Sequence, residues 1–174
     1  MMANDLVALL ESNAEPDALL SALMPALGIA LDCDRCVLFL RDPHSRLARA
    51  PHRWQRKPEF ALTRDDDGWE VEADDLVDDD PMFELALRDP DALYIEDVLT
   101  ADQSLVNGPY EVENFGHQAL VHAPIYHDGM MYGILEPCVM GQPRDWTPSD
   151  RATVAMVQAR IGPAVAAYVV ANLP

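Results

Sequence analysis

Cysteine is scarce in this 174-residue chain, with only Cys33, Cys36 and Cys138 present. So small and odd a set argues against a disulfide framework and fits a reducing compartment, so a cytoplasmic location is expected. Basic residues are also few, 12 against 30 acidic ones, for a net charge of -18. That balance argues against a nucleic-acid backbone or an anionic membrane as partner and leaves a cationic partner open. No apolar run approaches the roughly 20 residues of a membrane span, and the start, MMANDLVALLES, has neither a basic leader nor a cleavage-site pattern. No internal repeat points to a solenoid. A phosphate-cradling glycine loop, a Ser-His-Asp set and a credible acid–base carboxylate pair are all missing, so no enzymatic activity is expected.

What the chain does hold is clearest in its last third. HQALVHAPIY and MMYGILEPCVM are apolar runs of strand length joined at His127-Asp128-Gly129, and Asp-Gly between two such runs is a strong hairpin signal. After GQPRDW, Thr147 reads as a helix N-cap, Pro148 as the first helical residue and Asp150 as the acidic residue three past the cap. Val154, Val157, Ile161, Val165, Tyr168 and Val169 then recur at helical spacing. Plain alternation from the Asp-Gly turn sets Pro124 opposite Gly133 and His122 opposite Leu135. Ala119, Val121, Ala123 and Ile125 share the face suited to helices, and His122 points the other way with Leu120 and Tyr126.

Upstream, Leu6 to Leu31 is rich enough in apolar residues for one helix or two, with a restart at Glu15-Pro16-Asp17. Arg35 to Leu40 reads as a central strand, Asp42-Pro43-His44-Ser45 as a turn and Leu47 to Gln55 as the returning strand. Plain alternation puts His52 and Trp54 on one face of it. Between Asp65 and Asp80 stand ten carboxylates and no base, whereas Arg35 to Lys57 holds seven bases and one acid, Asp42. The acidic run is expected to be a solvated loop held partly by nearby arginines. Asp65, Asp67 and Gly68 partly match a calcium loop, but Thr63 and Asp74 stand where its end ligands belong. Pro81 to Leu87 has the spacing of a short helix, and Ala92 to Val98 that of a third strand. Leu99 to Gly116 is a long connection with a breaker at Asn107-Gly108-Pro109 and a single helical turn at Tyr110 to Phe115.

Several stretches carry a family resemblance: His122-Ala123-Pro124-Ile125, Asp128-Gly129, Tyr132-Gly133-Ile134-Leu135 and Asp145-Trp146-Thr147-Pro148-Ser149-Asp150, with Asp34 to Leu40 behind the first helix. They resemble the GAF domain, and Arg41-Asp42-Pro43, Trp54, Gly116-His117 and Pro137-Cys138-Val139 are similar to small stand-alone bacterial members. The resemblance implies an α+β, GAF/PAS-like fold: a central antiparallel sheet, terminal helices on one face and a loop-covered pocket on the other. It covers one domain over residues 1–174. Its parts are N-terminal helices at 1–32, a first hairpin at 35–55, a variable acidic insert with a short helix and third strand at 56–116, a C-terminal hairpin at 117–140 and a terminal helix at 148–171.

The resemblance also implies a function. Members bind cyclic nucleotides, bilins, haem or other small molecules, or act through dimer contacts without a ligand. Bilin attachment often uses a Cys-His pair, which is absent here. Free methionine sulfoxide reductase, a stand-alone member, uses cysteines on the middle loops, and none stands between Cys36 and Cys138. Cys36 and Cys138 are expected on adjacent strands, as small core side chains or as a redox pair. Cys33 and Cys36 have C-x-x-C spacing without a second pair for zinc. The candidate ligand-binding residues are Trp54, Trp69, Tyr94, Tyr110, Phe115 and His122, the aromatic ones because they fit neither helix face and fall where a GAF pocket is covered. His122 is also the candidate for haem iron, and no cofactor is otherwise indicated. Trp146 is expected to pack beside the last helix start. The expected function is a sensor module signalling through its helices to a partner, as a homodimer because the terminal apolar stripes exceed one sheet face. The alternatives are an interaction module without ligand, docking a basic partner, and a sulfoxide-reductase-like enzyme.

Overall fold

The Asp128-Gly129 turn folds His117–His127 (β5) back against Met130–Met140 (β6), with φ of 48° and 77° at the two turn residues. A two-residue turn between right-twisted strands requires such positive values, which Asp and Gly tolerate. The computed structural model describes residues 3–62 and 68–174. Arg35–Arg41 (β1) and Leu47–Gln55 (β2) form the N-terminal hairpin, and β1 pairs with β6. Glu70–Val71 (β3) extends the β2 edge and Leu93–Ile95 (β4) the β5 edge. The six strands therefore run β3-β2-β1-β6-β5-β4, antiparallel throughout.

The register of the last hairpin departs from plain alternation. His127 pairs Met130 and Tyr126 pairs Met131, but a bulge between Ile125 and Tyr126 then sets Ile125 opposite Gly133, Pro124 opposite Ile134 and Ala123 opposite Leu135. An inserted residue shifts every later partner by one, and with it the face each β6 residue presents.

One face carries the helices. Ala3–Leu10 (α1), Pro16–Ala30 (α2) and Pro148–Asn172 (α6) cover it. α6 begins with a complete capping box, the Thr147 side chain accepting from the Asp150 N–H while the Asp150 carboxylate accepts from the Thr147 N–H. Gly162 lets α6 lie directly on β5, since a Cβ there would stand 2.4 Å from the Tyr126 carbonyl oxygen. The core beneath joins Leu20, Leu23, Met24 and Leu27 of α2 to Val121, Ala123 and Ile125 of β5 and to Val154, Val157, Ile161, Val165, Tyr168 and Val169 of α6. The stripes from which a helical-bundle dimer was expected are therefore mostly buried within one chain. α6 also corrects the expectation that no segment reaches membrane-span length, being by length and composition alone long and apolar enough. Here its buried side packs on the sheet.

The opposite face is covered by the middle of the chain. Residues 63–67 lie outside the described residues, so the calcium-loop reading and the first three carboxylates of the acidic run are not placed. The remainder of that run is more ordered than a solvated loop, holding β3 and a single turn, Leu76–Asp79 (α3). Arg41 Nε donates to Glu72 Oε1 at 2.6 Å, and Arg46 lies 3.6 Å from Glu72 Oε2 and 3.1 Å from Asp74. Asp80 caps Pro81–Ala86 (α4) by accepting from the Phe83 N–H. Asn107 does the same for Gly108–Phe115 (α5), so the expected breaker is the start of a helix whose first residues are Gly and Pro. Trp146 is buried, and its indole N–H donates to the Ile95 carbonyl at 3.0 Å.

Candidate functional site

Between the sheet and this middle cover lies a cavity of about 480 Å³. Phe39, His122, Ile134 and Glu136 line it from the strands, Glu72, Leu76, Asp80 and Phe83 from the acidic run and α4, and Tyr110, Asn114 and Phe115 from α5. Phe115 meets Phe39 edge-on at 6.0 Å and Tyr110 at 5.9 Å between ring centroids. Mostly apolar walls with a few converging polar groups are the usual make-up of a small-molecule site.

Two close histidine–glutamate contacts lie in and behind the cavity wall. His122 Nδ1 and Glu136 Oε1 are 2.6 Å apart, and both residues line the cavity. Burial disfavours the imidazolium, but the Glu136 contact and the Asp80 and Glu111 charges outweigh it and hold His122 above its ordinary pKa. Burial likewise opposes the Glu136 carboxylate, yet His122, with help from His117 and Arg35, holds it below the usual glutamate value. His122 Nε2 is buried and has no partner. Asp80 is raised by burial against the pull of His122 and the Phe83 N–H. Behind the cavity, Glu111 Oε2 and His117 Nε2 are 2.6 Å apart, and the His117 ring is stacked on Phe115 at 5.5 Å. Burial and the Glu136 and Asp80 charges push Glu111 up to about 9, so at neutral pH its carboxyl retains a proton to share with His117.

The structure divides the six sequence candidates. Tyr110, Phe115 and His122 stand in the cavity wall. Trp54, Trp69 and Tyr94 do not, which corrects the expectation that all six gather around a pocket. Trp54 pairs with Cys36 and Tyr94 with Val121, both partners belonging to the helix-side core, and residues opposite each other on neighbouring strands share a face. Trp69 precedes β3 and donates its indole N–H to the Asn172 carbonyl at the end of α6 at 2.6 Å. Cys36 lies in the helix-side core and Cys138 in the smaller cluster on the cavity side, so the adjacent strands do not juxtapose them as a pair. Burial raises the Cys33 and Cys36 thiols far above their ordinary values, which makes them poor nucleophiles. No cysteine stands among the residues lining the cavity. No metal-holding group of His, Cys, Asp and Glu occurs among the described residues. An imidazolium has no lone pair for iron, so haem ligation by His122 requires loss of that proton first.

Glu136, Asp80, Glu111 and His117 escaped the sequence analysis. Glu136 was visible as a lone charge within the apolar run MMYGILEPCVM, but plain alternation set Leu135 against His122. The bulge at Ile125 and Tyr126 brings Glu136 there instead. Asp80 could have been found as the residue before Pro81 at a helix start.

Comparison with known proteins agrees with this architecture. The GAF domain family model matches residues 15–165. A GAF domain from an Acinetobacter phosphoenolpyruvate-protein phosphotransferase is similar at a TM-score of 0.69 and 15% identity, over 98% of this chain and 94% of that one. The phycocyanobilin-bound GAF domain of a cyanobacterial phytochrome gives 0.70 and 16%, over 98% and 95%. JSC1_58120g3 in its far-red absorbing dark state, with bound biliverdin IXa, gives 0.72 and 11%, over 93% and 96%. A search of curated proteins found no match.

Proposed function

Because the chain belongs to the GAF domain family, we propose that it is a sensor module that binds a small molecule in the cavity and passes the binding state through its terminal helices to a protein partner. The observation that carries this reading is the cavity of about 480 Å³ with the His122–Glu136 contact and Asp80 buried in its wall. A route outward supports the signalling half: Arg49 lines the cavity and donates through Nη2 to the Tyr168 hydroxyl of α6 at 2.7 Å. Trp69, beneath the Arg49 guanidinium, is tied to the end of the same helix.

Two of the similar structures hold bilins. With no cysteine in the cavity lining here, covalent thioether attachment is not part of the proposal. The proposal includes a cytoplasmic location, no turnover of its own and a homodimer through the terminal helices, where Ile29 and Val170 remain exposed.

Native mass spectrometry of freshly purified protein, with an absorption spectrum of the same sample, tests it. A retained small-molecule mass or a visible band is expected. A bare chain that also takes up no small molecule in a ligand screen would overturn the sensor reading in favour of an interaction module without ligand.

A further inference from the structure

The charges around the cavity can be matched one against another. Glu136 is balanced by His122 at 2.6 Å, and Glu72 by Arg41 at 2.6 Å. The Arg49 guanidinium donates to Tyr168 and lies over the Trp69 and Tyr168 rings, while its Nε is buried without a hydrogen-bond partner. Asp80 remains. It is 8% exposed, lines the cavity, and has no ion-pair partner among the described residues. Its carboxylate accepts from the Phe83 N–H at 3.0 Å, and the Met82 N–H also favours its charged form.

A buried carboxylate is costly without a counter-charge of its own, and the one cation that pulls on Asp80, His122, is already engaged by Glu136 at 2.6 Å, so two carboxylates face one imidazole. Phe39 and Phe83 line the same cavity, and the negative faces of aromatic rings favour a cation over an anion. His122 Nε2 adds a second requirement. It is buried, unpartnered and part of a residue in the cavity lining. As an imidazolium N–H it can only donate, so what it lacks is an acceptor.

We propose that the cavity takes an organic ammonium compound that also carries a hydrogen-bond-accepting oxygen. The ammonium group lies against Asp80, with Phe39 and Phe83 as apolar walls, and the oxygen accepts from His122 Nε2. This rests on the reading of the cavity as a ligand site and names the chemical class of ligand. A ligand so built satisfies Asp80 and His122 Nε2 at once. A plain anion meets the carboxylates of Asp80 and Glu136, and a plain hydrocarbon leaves both polar groups unmatched.

Three probes of one shape test the charge: choline, its neutral isostere 3,3-dimethylbutan-1-ol and the anionic 3,3-dimethylbutanoate. Each is titrated into the full chain while amide shifts are followed by NMR. Choline is expected to bind roughly tenfold or more tightly than the neutral isostere, a difference of about 1.4 kcal/mol, with shifts at Phe83 and His122. In Asp80→Asn that preference is expected to vanish while binding of the neutral isostere is kept. The asparagine oxygen still accepts the Phe83 N–H, so α4 keeps its cap. Tetramethylammonium, which lacks the oxygen, is expected to bind more weakly than choline.

Equal or tighter binding of the neutral or anionic probe at these residues overturns the ammonium assignment and leaves the cavity standing as a ligand site. A choline preference unchanged in Asp80→Asn overturns the role of Asp80 and the proposal with it. If none of the probes shifts the cavity residues, the ammonium assignment fails. A native mass spectrum without a retained molecule then counts separately against the sensor reading.

Discussion

His122 and Glu136 meet across the β5–β6 hairpin at 2.6 Å, imidazole to carboxylate, in the wall of an otherwise mostly apolar cavity. Each holds the other in its charged form. The raised His122 contributes stability below its ordinary value of 6.5, which is lost as pH rises through its folded value. The lowered Glu136 contributes above its ordinary 4.5, and that is lost as pH falls through its folded value. The contact is therefore fully effective between those two ordinary values. Glu136→Gln is expected to cost about 3–5 kcal/mol in urea unfolding at pH 5.5, the range for breaking a buried ion pair. It should also move the His122 ring titration to lower pH by NMR, and an unmoved titration would show that the two do not share charge.

Glu111 carries the opposite dependence. Its carboxyl is pushed up to about 9 in the fold, from an ordinary 4.5. The folded chain thus binds the extra proton between those values, and stability falls as pH rises across them. Glu111→Gln, which keeps a donor for His117, removes that loss. The variant should gain on the native chain between pH 5 and pH 8 by on the order of 2 kcal/mol. Equal destabilisation at both pH values would mean that the native contact is a charged ion pair instead.

Gly28 lies under the Trp54 ring, where a Cβ would stand 2.3 Å from two ring carbons. Gly28→Ala improves helix propensity by about 1 kcal/mol but forces the indole aside. A net loss of about 1–3 kcal/mol is expected from overpacking. Adding Trp54→Leu should restore part of it, whereas a stabilised single variant would show that the indole relocates freely.

Arg49 is the side chain that reaches from the cavity to α6. Arg49→Met keeps much of the stem and removes the charge-assisted bond to Tyr168, a loss of about 1.5–3 kcal/mol. Hydrogen exchange should quicken in the last turns of α6, where Trp69 is also tied, and stay unchanged in the β5–β6 hairpin. Uniform quickening across the chain would refute the local link.

The elements of the last third were legible because their signals are local. Asp-Gly between two apolar runs, Thr-Pro-Ser-Asp ahead of an apolar stripe, and the alternation of Ala119, Val121, Ala123 and Ile125 each act through neighbours a few residues apart. The helix, hairpin, insert, hairpin and helix order follows from them, as does His122 facing away from the helices. β3 escaped notice because its two residues pair only by lying across Leu47 and Ala48, with no pattern of their own.

The site was decided by tertiary structure. One bulge between Ile125 and Tyr126 moved Glu136 beside His122 in place of Leu135, and a strand slipped by one residue exchanges its faces. Strand pairing likewise turned Trp54 and Tyr94 onto the helix side, although aromatic composition alone made them equal to Phe115. The charge on a buried acid is set by what folds against it. Sequence by itself determined the order of the main strands and helices and the turn of His122 away from the terminal helices. Only long-range packing determined that Asp80, Glu136 and His122 converge, because their burial and mutual distance come from segments separated in the chain.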